Sequence, residues 1–169
     1  MKKALIILFL VSASVVNAQQ YSTAIGLRLG GYNSGISVKH FIGSANALEG
    51  LITFGRSAFR ITGLYEHHTA FPNAEGLSWY YGAGVHVGFY TNDYGYSYWR
   101  YYKNKGTYIF INDDYRDSNI SIGGDFILGL EYKFKNAPIN LGLDVKPFID
   151  FVPGFFGYWE GALSVRFTL

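Results

Sequence analysis

Along eight separate stretches of this chain every second residue is apolar, and each stretch keeps its phase for about ten residues. A period of two places alternate side chains on opposite faces of a strand, so the chain must build a sheet with one apolar and one polar face. The first stretch sets Ile25, Leu27 and Leu29 against Ala24, Gly26, Arg28 and Gly30; the second sets Ile36, Val38 and Ile42 against Ser37 and Lys39. The third opposes Leu48, Gly50, Ile52 and Phe54 to Glu49 and Thr53, and the fourth opposes Phe59, Ile61, Gly63 and Tyr65 to Arg60, Thr62, Leu64 and Glu66. In the fifth, Trp79, Tyr81, Ala83, Val85, Val87 and Phe89 face away from Tyr80, Gly82, Gly84, His86 and Gly88. The sixth pairs Ile122, Phe126, Leu128, Leu130, Tyr132 and Phe134 with Ser121, Gly123, Asp125, Gly129, Glu131 and Lys133. The last two oppose Leu141, Leu143, Val145, Ile149 and Phe151 to Asn140, Gly142, Asp144, Lys146 and Asp150, and Leu163, Val165, Phe167 and Leu169 to Ala162, Ser164, Arg166 and Thr168.

Which face points inward follows from volume. An eight-stranded barrel has an interior just wide enough for side chains to fill. Rings as large as Trp79, Phe126, Phe134 and Phe151 would overfill it, whereas glycines and small polar residues fit. The expected fold is therefore all-β, an eight-stranded antiparallel up-and-down barrel with its apolar face on lipid, since about ten residues is the length of a tilted transmembrane strand. The lumen then receives Arg28, Lys39, Arg60, Lys133, Lys146 and Arg166 together with Glu49, Glu66, Asp125, Glu131, Asp144, Asp150 and Glu160. Six cations against seven anions point to a lumen plugged by ion pairs, because buried charges need partners. A small-solute channel would need those charges held apart, and a soluble secreted barrel would need the two faces exchanged.

Composition agrees. Charged residues make up 15% of the chain and aromatic residues 19%, where a soluble domain carries about 25% charge. No apolar run after the first twenty residues is long enough for a membrane helix. A net charge of +2 gives no reason to expect nucleic acid as a partner. The absence of cysteine rules out disulfides and thiolate metal sites. Residues 1–18 read as a cleaved signal peptide, with lysines at Lys2 and Lys3, an apolar run from Ala4 to Val11 and small residues up to Ala18. Residues 19–169 form the single barrel domain.

Backbone groups in hydrocarbon must all be paired, so the sheet has to close and the last strand must bond to the first. The terminal alternation Leu163, Val165, Phe167, Leu169 resembles the C-terminal sorting signal of bacterial outer-membrane barrels. "AIGLRLGGY", "GLYEHH" and "LSWYYGAGVHVGFY" are similar to small outer-membrane barrel proteins of Bacteroidota, of the eight-stranded OmpA and OmpX kind. The resemblance implies an outer-membrane location, contact with outer-membrane lipid and insertion by the barrel-assembly machinery. It implies no catalytic residues and no cofactor.

With both ends in the periplasm, the connections at Ser44 to Ala47, His67 to Gly76 and Asn136 to Pro138 belong on the periplasmic side. Those at Tyr32 to Ser34, Arg56 to Ser57, 91–119 and Pro153 to Gly157 belong outside. The long loop 91–119 carries Tyr94, Tyr96, Tyr98, Trp99, Tyr101 and Tyr102. It reads as an extension of the fifth strand that returns through Tyr108 and Phe110 around a turn at Asn104 to Gly106, or as a surface for an external partner, since tyrosine gives large contact area at small entropic cost.

Candidate chemistry is sparse. Glu66 beside His67 and His68 hints at a lipid- or lipopolysaccharide-modifying triad, but adjacent strand residues face opposite ways, so only one of the two histidines can join Glu66, and no motif places a serine. His86, between Gly84 and Gly88, reads as a hydrogen-bonded lumen residue. The run Asn112, Asp113, Asp114, Asp117 lacks calcium-loop spacing and contains Arg116. Gly82 to Gly88 is no dinucleotide fingerprint, because a strand rather than a helix continues through it. Function therefore reads as non-enzymatic, in envelope structure or surface interaction.

Overall fold

The computed structural model describes residues 21–55, 58–90, 96–102, 107–113, 120–152 and 155–169. Its strands are β1 (Thr23–Gly30), β2 (Asn33–Phe41), β3 (Asn46–Gly55), β4 (Ala58–Ala70), β5 (Leu77–Tyr90), β6 (Tyr96–Tyr102), β7 (Thr107–Asp113), β8 (Ile120–Lys133), β9 (Ile139–Val152) and β10 (Phe156–Thr168). Eight of them close into an antiparallel barrel in the order β1-β10-β9-β8-β5-β4-β3-β2. The seam is the pairing of β10 with β1, from Leu163 opposite Leu29 through Val165 opposite Leu27 to Phe167 opposite Ile25.

The alternation decides the faces as volume required. On β3 the burial pattern is strictly periodic, with Ala47, Glu49, Leu51 and Thr53 inside and Leu48, Ile52 and Phe54 outside. On β8 and β10 the same rule buries Asp125, Glu131, Ser164 and Arg166 and leaves Phe126, Leu128, Leu163 and Val165 exposed. Val85, with 67% of its surface open, faces outward from the middle of β5.

Closure over so few strands brings neighbouring backbones close together at several glycines, among them Gly84 and Gly26. A Cβ on Gly84 would stand 1.9 Å from the carbonyl oxygen of Gly63, and one on Gly26 would stand 1.9 Å from that of Val165. Neither strand pair admits a side chain at those points, so glycine is required by close backbone approach.

Several boundaries differ from the sequence reading. The connection expected at 67–76 is only 71–76, because His67 and His68 stay in β4 opposite Tyr81 and Tyr80. Gly76 supplies the left-handed backbone, with φ at 83°, that ends this turn. Ala47 and Ser34 lie inside β3 and β2, so the flanking turns are 42–45 and 31–32. Strand β9 continues through Pro147 as its alternation implied, and there the proline has no N–H to donate and the β8–β9 ladder skips Phe126 and Ile127. Inside the barrel, Leu64 and Tyr80, which the alternation placed on the inward face, are joined by Leu51 and Ile127 in a small buried apolar cluster.

The segment 91–119 contains an antiparallel hairpin, Tyr96 opposite Asp113 through Tyr102 opposite Thr107. It is a two-stranded sheet of its own rather than a prolongation of the barrel sheet. Tyr94, the turn expected at Asn104 to Gly106, the acidic residues Asp114 and Asp117, and the connections expected at 56–57 and 153–154 lie outside the described residues.

Candidate functional site: the plugged lumen

The strands bring the inward charges into two groups. Toward the end that holds the termini, Lys39 of β2 reaches Glu66 at 2.7 Å, Glu131 at 3.4 Å and Glu49 at 3.6 Å. Arg166 of β10 pairs with Glu49, lies 3.5 Å from Glu131 and takes Ser37 Oγ as acceptor at 2.7 Å. Two cations thus serve three carboxylates, drawn from β3, β4 and β8. Each carboxylate has more than one partner, so these charges form one network across the strands rather than isolated buried pairs.

Toward the opposite end, Arg28 of β1 grips Asp144 of β9 with both ends of its fork, at 2.6 and 2.7 Å, and lies 3.5 Å from Glu160. Lys146 reaches Asp125 at 2.7 Å and Glu160 at 3.7 Å. His86 bridges two carboxylates, Nδ1 to Asp125 at 2.6 Å and Nε2 to Asp150 at 2.5 Å. Carboxylates only accept hydrogen bonds, so a histidine that satisfies both must donate from both ring nitrogens. The Arg60 guanidinium lies 4.1 Å over the Phe148 ring, a desolvated cation–π contact.

Tyr80 joins the two groups. Its hydroxyl donates to Asp144 Oδ2 at 3.1 Å, Lys39 stands 4.1 Å from its ring centroid, and His68 stacks on it at 4.9 Å. The sequence reading placed Tyr80 on the polar parity without a role. The available signal was the glycine across from it: Gly129 leaves the space that the Tyr80 ring occupies, where a Cβ would meet Cζ at 2.5 Å.

Tyr21 closes the end that holds the termini. It is buried, its hydroxyl donates to Glu131 and accepts from Asn140 Nδ2 at 2.8 Å, and its ring meets Phe41 edge-on at 5.1 Å. Burial and the neighbouring Glu131 carboxylate push its phenol well above the usual range. Lys133 sits at the same rim, partly exposed, with its ammonium 5.3 Å from the Tyr21 ring centroid. Tyr21 lies two residues before β1, where no alternation announced it.

The histidines separate as strand geometry demands. His68 turns inward and places Nε2 3.0 Å from Glu66 Oε2, while His67 turns outward to Asn46 Oδ1 at 2.8 Å. Glu66 is engaged by Lys39 as well. The terminal-strand residues Leu163, Val165 and Leu169 are exposed on the outer face and Phe167 partly so. Tyr96, Tyr98, Trp99, Tyr101 and Tyr102 lie on β6.

No family model matches the chain, and no curated protein matches it. Among solved structures it is similar to the crystal structure of Neisserial surface protein A (NspA), with 15% identity, a TM-score of 0.51 and coverage of 87% of this chain and 94% of that one, a likeness of fold alone.

Proposed function

We propose that the chain is a non-enzymatic outer-membrane barrel of the small Bacteroidota kind, related in design to OmpA and OmpX, that presents the 91–119 segment at the cell surface. The observation that carries this reading is the inversion of the faces: leucines, valines and aromatics cover the outside while arginine, lysine and carboxylates fill the inside. Water does not stabilise that arrangement, and a hydrocarbon layer does. In this reading the signal peptide is removed after Ala18, the assembly machinery recognises the strand that ends Leu163, Val165, Phe167, Leu169, and the two termini face the periplasm. The lumen residues serve as a plug that holds the wall in shape and keeps solutes from passing. The opposite end bears the 31–32 turn and the long segment, and the hairpin of β6 and β7 is its interaction element.

The test is cell fractionation of tagged protein, with membrane fractions run on a gel heated and unheated, beside a variant in which 91–119 is replaced by a short turn. Membrane recovery with a heat-dependent mobility shift in both forms, and loss of surface binding only in the shortened form, is the expected outcome. Recovery in the soluble fraction overturns the membrane assignment.

A further inference from the structure

Where β9 meets β10, four inward residues occupy two neighbouring cross-strand pairs, Asn140 with Arg166 and Gly142 with Ser164. All four are buried. Three carry a buried polar atom without a hydrogen-bond partner in the protein: Asn140 Oδ1, Ser164 Oγ and Arg166 Nη1. The nearest approach of that Nη1 to a carboxylate is 3.5 Å, to Glu131 Oε2. The fourth corner contributes no side chain. A carbon placed on Gly142 would lie 2.9 Å from Arg166 Nη1, 3.5 Å from Ser164 Cβ and 3.8 Å from Tyr80 Oη.

We propose that this corner binds one ordered water molecule as a built part of the plug. The water accepts from Arg166 Nη1, shares a hydrogen bond with Ser164 Oγ and directs its remaining proton to Asn140 Oδ1, the three-bond pattern that buried waters adopt among otherwise unsatisfied groups. Electrostatics selects a neutral occupant. The Arg166 guanidinium repels a cation, and the nearby carboxylates of Glu131 and Asp144 repel an anion. The corner is narrow, because Arg166 Nη1, Ser164 Cβ and Tyr80 Oη all lie within 4 Å of the position a side chain on Gly142 would take. The glycine leaves the corner to solvent, and Arg166, already held by Glu49, Glu131 and Ser37, gains a further anchor.

The test is a crystal structure of the refolded full-length barrel at a resolution that places water, with Gly142→Ala and Gly142→Ser followed by thermal unfolding in the same detergent. Density for one water within about 3.2 Å of Arg166 Nη1 and Ser164 Oγ is expected. Gly142→Ala expels it and lowers the unfolding midpoint by roughly 5 °C, and Gly142→Ser recovers most of that loss because its hydroxyl stands where the water stood. A map in which Arg166 Nη1 bonds directly to Ser164 or Asn140 with no water between overturns the proposal. So does a serine variant no more stable than the alanine variant.

Discussion

The hydroxyl of Tyr80 donates to Asp144 Oδ2 at 3.1 Å, and the same carboxylate is held in a fork by Arg28 at 2.6 and 2.7 Å. One aromatic side chain therefore ties the two ion-pair groups together, since Lys39 of the other group lies against its ring. Removing only the hydroxyl in Tyr80→Phe should cost about 1 kcal/mol, and removing the ring in Tyr80→Ala about 3–5 kcal/mol. Urea unfolding in lipid vesicles measures both. Equal losses in the two variants would show that the ring contributes nothing beyond its hydroxyl.

The fork between Arg28 and Asp144 is fully buried. Arg28→Leu should destabilise the barrel by about 3–5 kcal/mol, because it strands a carboxylate. Adding Asp144→Leu should restore part of that loss. A double-mutant cycle reads the coupling, and strictly additive effects would mean that the pair does not act as a unit.

Val85 faces outward from the middle of β5 with 67% exposure. If the outer face meets hydrocarbon, Val85→Arg costs about 2–4 kcal/mol on folding into a bilayer. Refolding yields into vesicles, compared with those of Val85→Leu, check this. An arginine variant that folds as well as the parent would remove the case for a lipid-facing wall.

Gly63 pairs with Val85 and Gly84 with Leu64, one step apart on the β4–β5 ladder, yet the two glycines differ in what they tolerate. Gly84→Ala forces a carbon to 1.9 Å from a backbone oxygen, whereas a carbon on Gly63 meets nothing within 4 Å. Gly84→Ala should abolish the folded, heat-modifiable form, and Gly63→Ala should leave it intact. Gel mobility without heating distinguishes them, and a normal shift for Gly84→Ala would refute the close-packing argument.

Much of the architecture was legible because a period of two is a property of neighbouring residues. Leu163, Val165, Phe167 and their seven companion stretches announced strands, and ring volume alone chose the inward face. Boundaries were less legible. His67 and His68 look like loop residues until β5 presents Tyr81 and Tyr80 as partners.

The sequence by itself determined which residues share a face, since that depends only on the step from one residue to the next. It therefore named charged residues that the structure buries inside the barrel, with Lys133, partly exposed at the rim, as the exception. It did not determine who pairs with whom. Arg28 and Asp144 are 116 positions apart and Lys39 and Glu131 are 92 apart, and their meeting depends on strand order, on register and on the stagger that closure imposes. The same is true of Tyr21, which is buried only because the barrel places Glu131 and Asn140 above it. Alternation is local chemistry, while the plug is a contact set that exists only once β10 has bonded to β1.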